Sequence, residues 1–193
     1  AEIKGALSVG DVVLDVVTLD DYACLAGENR GLIIADITNP ANPKEIGNLD
    51  MQGVARSIAY RAPYIYLGVE SAGLFKIDIS NPEHPQLVGQ LDSDGRMRDI
   101  ALAGSYAWIS DFSQGFSVID ISNPDSMVHV YSENPGGIER GITITDSLLF
   151  LAKYSNGMQI YDINDPLNPV SLGTYSTQGK CLDIAVGTYA FIG

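Results

Sequence analysis

Asp36-Ile37-Thr38-Asn39-Pro40 returns as Asp78-Ile79-Ser80-Asn81-Pro82, then as Asp120-Ile121-Ser122-Asn123-Pro124, and once more as Asp162-Ile163-Asn164-Asp165-Pro166. The starts at 36, 78, 120 and 162 set a period of 42 with no insertion. Other columns keep the same step. Gly31, Gly73, Gly115 and Gly157 stand five residues before each Asp. Val16, Ile58, Ile100, Ile142 and Ile184 form an apolar column, and Tyr22, Tyr64 and Tyr106 an aromatic one, with Leu148 in the fourth copy. A period of this length belongs to paired helices or to four-stranded propeller blades. Each copy decides for strands. Ser57-Ile58-Ala59-Tyr60, Tyr64-Ile65-Tyr66-Leu67-Gly68 and Leu74-Phe75-Lys76-Ile77-Asp78-Ile79 are rich in β-branched and aromatic residues between turn formers. No breaker-free stretch of about 12 residues carries a helical period. The second copy therefore predicts strand a near 56–60, b near 64–68, c near 74–79 and d near 86–91.

Runs such as Leu32-Ile33-Ile34-Ala35 are apolar without alternation. That pattern means a sheet covered on both faces, as when a blade is wedged between two others. The repeated turn has its own logic. Asn39, Asn81, Asn123 and Asp165 can each accept a backbone hydrogen bond two residues on, and the proline that follows fixes the turn. Asp36, Asp78, Asp120 and Asp162 read as acceptors for backbone donors at a strand end, not as four ligand carboxylates.

Leu32-Ile33-Ile34-Ala35-Asp36-Ile37-Thr38-Asn39-Pro40-Ala41-Asn42-Pro43 resembles the LVIVD repeat with the turn that follows it. Leu74–Asp78, Phe116–Asp120 and, more loosely, Met158–Asp162 match the same pattern. Arg98-Asp99-Ile100-Ala101-Leu102-Ala103-Gly104-Ser105-Tyr106-Ala107-Trp108 is similar to the segment that opens a repeat of that family. The resemblance covers nearly the whole chain. It implies an all-β fold, a β-propeller of secreted or cell-surface proteins, and it carries no catalytic motif to transfer. The 42-residue blades number five by this reading, the last incomplete, or form part of a larger ring. Gly5 and Leu7 match Gly47 and Leu49 and are expected to open the chain in a strand d; Tyr189–Gly193 is expected to be a strand b. The chain is expected to be either a fragment of a longer propeller or a unit whose open blade edge is filled by a protein partner or by a second copy.

The 193 residues hold 24 acidic and 11 basic side chains, a net charge of −13. That balance argues against nucleic acid, which asks for a basic footprint. No apolar run approaches about 20 residues, so no transmembrane segment is expected, and with no charged-then-apolar stretch opening the sequence a signal peptide is expected to be absent or already removed. Two cysteines and two histidines exclude a dense disulfide framework and most histidine-built metal centres.

In a propeller the d–a and b–c loops share one face, and here they vary while the c–d turns are stereotyped. Variable loops on a rigid scaffold are where recognition usually sits. Arg56, Arg98 and Arg140 share one column at the entry to strand a, with Leu14 and Leu182 in the other copies. The next column holds Asp15, Ser57, Asp99, Gly141 and Asp183. Forked guanidinium donors suit a carboxylate or phosphate; the competing reading is an internal Arg–Asp network. Asp15, Asp99 and Asp183 could take a hard cation, but the adjacent arginines argue against a metal. Asp92-Ser93-Asp94-Gly95 starts like a calcium loop and lacks the closing Glu. Arg30, Phe112 and Tyr154 stand in b–c loops as candidate partner contacts, and Met127-Val128-His129-Val130-Tyr131 departs from the repeat as another. Cys24 shares a column with Tyr66, Trp108 and Phe150 and reads as core. There is no Gly-x-Ser-x-Gly elbow, and no motif nominates a cofactor. The expectation is a non-enzymatic interaction or scaffold module. The alternative is a small anionic ligand or metal ion at the Arg/Asp-lined mouth, and an enzyme at that mouth comes third.

Overall fold

A computed structural model describes residues 3–93, 95–123, 125–187 and 189–193. Its described residues form eighteen strands and no helix. They fall into two units, residues 1–94 and 95–193. Unit 1 holds two antiparallel sheets. The first blade runs β1 (Val13–Leu19), β2 (Tyr22–Gly27), β3 (Gly31–Asp36), β4 (Lys44–Leu49); the second runs β5 (Val54–Arg61), β6 (Tyr64–Glu70), β7 (Gly73–Asp78), β8 (Gln86–Leu91). Unit 2 repeats the plan with β9 (Met97–Ala103), β10 (Tyr106–Asp111), β11 (Gly115–Asp120), β12 (Val128–Glu133), and with β13 (Ile142–Thr145), β14 (Leu148–Ala152), β15 (Met158–Asp162), β16 (Val170–Tyr175). A hairpin follows, β17 (Ile184–Val186) with β18 (Ala190–Ile192). Within each blade the strands pair in sequence order. The fold is all-β and β-propeller-like, built from blades one period long.

The predicted strands fall within two residues of the observed ones. Residues 3–9 differ, for no strand forms there. A strand needs a ladder partner, and no described strand of unit 1 pairs with this segment. The segment still packs as a strand d would. A side chain at Gly5 would collide with the carbonyl of Pro40, just as one at Gly47 would collide with that of Pro82.

The inner strands are dry on both faces, as the non-alternating runs predicted. Leu32, Ile33 and Ile34 are fully buried, as are Ile65, Leu67 and Ile77, each worth about 1.5–3 kcal/mol. In unit 1 Cys24, Leu32 and Ile34 of one blade pack with Ala55, Ile58 and Leu67 of the next. In unit 2 Trp108 and Phe116 pack with Ile142, Leu151 and Tyr161, and the Phe116 ring meets Tyr161 edge-on at 5.1 Å. The hairpin joins this unit through Cys181 and Ile184 against Phe150 and Met158.

The column Gly31, Gly73, Gly115, Gly157 has a double cause. Each has a positive φ, from +71° to +109°, and a Cβ on any of them would strike the carbonyl of the strand d alongside. The turns behave as predicted. Asp36, Asp78, Asp120 and Asp162 accept the amides of Thr38, Ser80, Ser122 and Asn164 at 2.7–2.8 Å. Asn39, Asn81, Asn123 and Asp165 accept those of Ala41, Glu83, Asp125 and Leu167. Pro124, which belongs to the third of these turns, lies outside the described residues.

Candidate functional site

Strand a carries a bulge at one fixed step. Leu14 is passed over between Val13 and Asp15, Arg56 between Ala55 and Ser57, and Arg98 between Met97 and Asp99. Arg140 holds that step ahead of β13; its amide donates to the Ala152 carbonyl at 2.8 Å. A bulge leaves one residue out of the ladder and re-aims its side chain. Two of the three arginines noted in the sequence, Arg56 and Arg98, are therefore bulged residues, and Arg140 keeps their step just ahead of its strand.

The neighbouring Asp column does structural work. Asp15 accepts the amide of Val16 at 2.7 Å and, from the next blade, that of Ile58 at 2.9 Å. Asp99 repeats this with Ile100 at 2.8 Å and Ile142 at 2.8 Å. Asp183 accepts the Ile184 amide at 2.7 Å. Asp15 and Asp99 thus clip consecutive blades together, with both carboxylate oxygens engaged.

In unit 1 the candidate arginines are held by carboxylates. Arg56 Nε donates to Glu70 Oε2 at 2.7 Å. Arg30 forms a bidentate pair with Glu45 at 2.9 and 2.5 Å and also donates to the Val9 carbonyl. Its loop is pinned further by Asp11, whose carboxylate takes the amides of Asn29 and Arg30 and the Asn29 side chain. These bonds, the Asn29 side chain first, draw the Asp11 carboxyl down to about 2.

Unit 2 brings Arg98, Phe112, Arg140 and Tyr154 together. Arg98 lies over the Phe112 ring at 4.7 Å and Arg140 over the same ring at 5.0 Å. Arg140 also lies over Tyr154 at 5.2 Å, and Lys180 follows at 4.9 Å from that ring. The result is a ladder in which cations and rings alternate. Its backbone is fixed locally. The Phe112 amide donates to the Arg96 carbonyl, and the Cys181 amide to that of Tyr154, both near 3 Å. Tyr154 itself adopts φ +44°, uncommon for a bulky residue and the kind of strain found at binding sites. Arg140 forms no salt bridge among the described residues, and its buried Nε has no acceptor. Lys180 was not singled out in the sequence, since it stands in an irregular loop; Val12, Val54, Arg96 and Ile138 share its column.

A second feature of unit 2 lies beneath the Pro135–Gly137 loop. Glu139 is fully buried, and neither of its carboxylate oxygens has a hydrogen-bond partner of good geometry. Burial pushes its carboxyl above the ordinary value; Lys153 opposes that shift and Asp111 adds to it. Lys153 is itself buried and donates to the Pro135 carbonyl at 3.1 Å and to Gln159 at 2.9 Å. The signal for Glu139 was present in the sequence, because its column otherwise reads Val13, Ala55, Met97 and Cys181.

Other candidates stand as follows. Among the described residues no three His, Cys, Asp or Glu side chains gather as a metal site, and Asp94 of the calcium-like stretch lies outside the described residues. Cys24 and Cys181 are buried free thiols; burial raises the Cys24 pKa to about 12, which keeps it unreactive. The irregular strand β12 is exposed at Val128. The β17–β18 pair has no third strand among the described residues and exposes Tyr189 and Phe191 at 75% and 65%. No helix of the described residues is long and apolar enough to cross a membrane.

The LVIVD repeat model matches residues 10–51, 52–93, 94–134 and 136–177. No curated protein matches the chain. Among solved structures it is similar to a functionally unknown protein from Desulfotomaculum acetoxidans DSM 771, with 14% identity and a TM-score of 0.80 over 96% of this chain and 64% of that one. It is similar to the computationally designed Ika8 protein at 11% identity and a TM-score of 0.72, covering 89% of this chain and 52% of Ika8. The designed Ika4 protein gives 7% and 0.68, with 84% of this chain covering 98% of Ika4. The chain thus spans about half of Ika8 and just under two thirds of the Desulfotomaculum protein. Likenesses at these identities concern the fold alone.

Proposed function

Because the chain belongs to the LVIVD-repeat family, we propose that it is a non-enzymatic recognition module, secreted or on a cell surface, that binds a protein partner through the loop face of unit 2. The observation that carries this reading is the ladder: two b–c loops hold Phe112 and Tyr154 between Arg98, Arg140 and Lys180. Aromatic and arginine side chains on a rigid frame are the usual anchors of a protein interface. The blades supply the frame. The family resemblance is what supports the proposed setting.

A photo-crosslinking residue at Ser113, in the b–c loop beside Phe112, tests this in the native source. A discrete cross-linked partner from Ser113, and none from the same residue placed at Glu83 in a c–d turn, is the expected result. Equal cross-linking from both positions, or cross-linking from Glu83 alone, overturns it. A second reading, self-association through the open β18 edge, is favoured by the exposed Tyr189 and Phe191. It predicts a concentration-dependent mass that Phe191→Lys abolishes.

A further inference from the structure

The repeat contains its own template for a ligand. One column of the b–c loop reads Glu28, Glu70, Phe112, Tyr154, carboxylates in unit 1 and rings in unit 2. The column fourteen residues earlier reads Leu14, Arg56, Arg98, Arg140. In the second blade the column supplies an acceptor, and Glu70 Oε2 lies 2.7 Å from Arg56 Nε. In the fourth blade the column supplies Tyr154, and the Nε of Arg140 is left buried without an acceptor. The exchange of a carboxylate for a ring keeps the guanidinium positioned, now by stacking, and removes the negative charge that would neutralise it. With Lys180 beyond, this leaves a concentration of positive charge in a chain whose net charge is −13.

We infer that the Arg98–Phe112–Arg140–Tyr154–Lys180 ladder is a carboxylate-binding site, where an acidic group from outside takes the place that Glu70 holds in the second blade. The inference rests on the recognition reading above and names the chemistry of the partner. Carboxylate suits the site better than nucleic acid. Phe112 has two cations over it at 4.7 and 5.0 Å, and Tyr154 two at 5.2 and 4.9 Å, which leaves little ring face on which a base could stack. Neighbouring cations share a ring and so lie within about 10 Å of each other, roughly three residues of an extended chain. An extended segment with acidic residues at that spacing would meet one cation per blade. A free dicarboxylate would meet two.

Fluorescence anisotropy with a labelled Glu-rich peptide, competed by unlabelled glutarate, tests the assignment, with the Gln-rich peptide as control. Saturable binding of the Glu peptide, weakened by salt, is expected, with no comparable binding of the Gln peptide. Competition by glutarate at similar concentration assigns a free small carboxylate as sufficient; failure to compete assigns the multivalent acidic segment. Phe112→Glu with Tyr154→Glu rebuilds the unit 1 arrangement and should weaken the peptide about tenfold or more. Equal affinity for the Gln peptide, tighter binding of inorganic phosphate or a single-stranded oligonucleotide, or unchanged affinity in the double variant overturns the assignment. Far-UV circular dichroism shows that each variant is folded. A cross-linked partner at Ser113 with no carboxylate binding sinks this inference alone, whereas carboxylate binding without any cross-linked partner sinks the recognition reading alone.

Discussion

Arg56 in unit 1 and Arg140 in unit 2 occupy the same step of the repeat, beside blades of the same strand order, yet their neighbours differ. Arg56 is paired with Glu70. Arg140 stacks on Phe112 and Tyr154. The buried columns diverge in the same sense. Gly27 and Val69 correspond to Asp111 and Lys153, and Ala55 to the buried Glu139. In unit 1 Arg30 and Arg56 are paired with Glu45 and Glu70, while unit 2 stacks Arg98 and Arg140 on rings and holds polar groups under its loops. A repeat can therefore hold its scaffold constant and differentiate its loop face blade by blade.

If the scaffold is shared, damage to it must cost the same in both units. Asp15→Ala and Asp99→Ala each remove one carboxylate that receives two backbone amides, one from the next blade. Each should lose about 3 kcal/mol in urea unfolding, since hydrogen bonds to charged groups are worth about 1.5–3 kcal/mol. A cost at Asp99 with none at Asp15 would break the equivalence. The next effect concerns unit 2 alone. Glu139→Gln removes a buried carboxylate with no hydrogen-bond partner of good geometry and should raise stability at pH 7 by about 1 kcal/mol. A group whose folded pKa is raised contributes stability below its unfolded value and loses it as pH rises. The advantage of the glutamine should therefore fade as pH falls toward about 4.5, the ordinary value for the carboxyl, and be absent below it. Calorimetry at pH 4 and pH 7 reads this directly.

Smaller effects sharpen the contrast between the arginines. Arg56→Gln breaks a partly exposed ion pair and should cost about 0.5–1 kcal/mol, less at high salt. Arg140→Gln breaks no ion pair among the described residues and should leave urea stability nearly unchanged while reducing binding of the Glu-rich peptide. Equal losses of stability would mean that Arg140 is structural after all. The smallest expectation is a pH effect in unit 1. Asp11 has its pKa lowered to about 2, so the stability it contributes is present above about pH 4 and is lost as pH falls toward 2. Asp11→Asn should flatten the acid limb of the unit 1 melting curve and leave neutral pH almost untouched.

Much of this was legible in the sequence. The strands and the hydrogen bonds of the Asp-Ile-x-Asn-Pro turns follow from spacing and turn chemistry, because each is enforced within one repeat, and the dry inner runs were legible because their apolar residues do not alternate. The Arg column was legible as a column. That Arg56 and Arg98 fall on a bulge was not, because a bulge shows only when two strands are laid in register. The Asp column was half legible: that Asp99 reaches the Ile142 amide of the next blade depends on how blades pack. Glu139 and the change from Glu70 to Phe112 were written in the columns, as departures from a pattern first read for its regularities. Lys180 joins the ladder through the fold of its loop, which the 42-residue step does not encode.

One consequence lies in the bulge of strand a. Its residue is excused from the ladder, so the pairing closes around it whatever it is, as Leu14, Arg56 and Arg98 demonstrate. Together with the b–c residue fourteen positions on, it forms a two-letter word written once per blade: Leu-Glu, Arg-Glu, Arg-Phe, Arg-Tyr. A mutation can respell one word without disturbing the grammar of the sheet, so the chemistry of the loop face can be rewritten in text its architecture never reads.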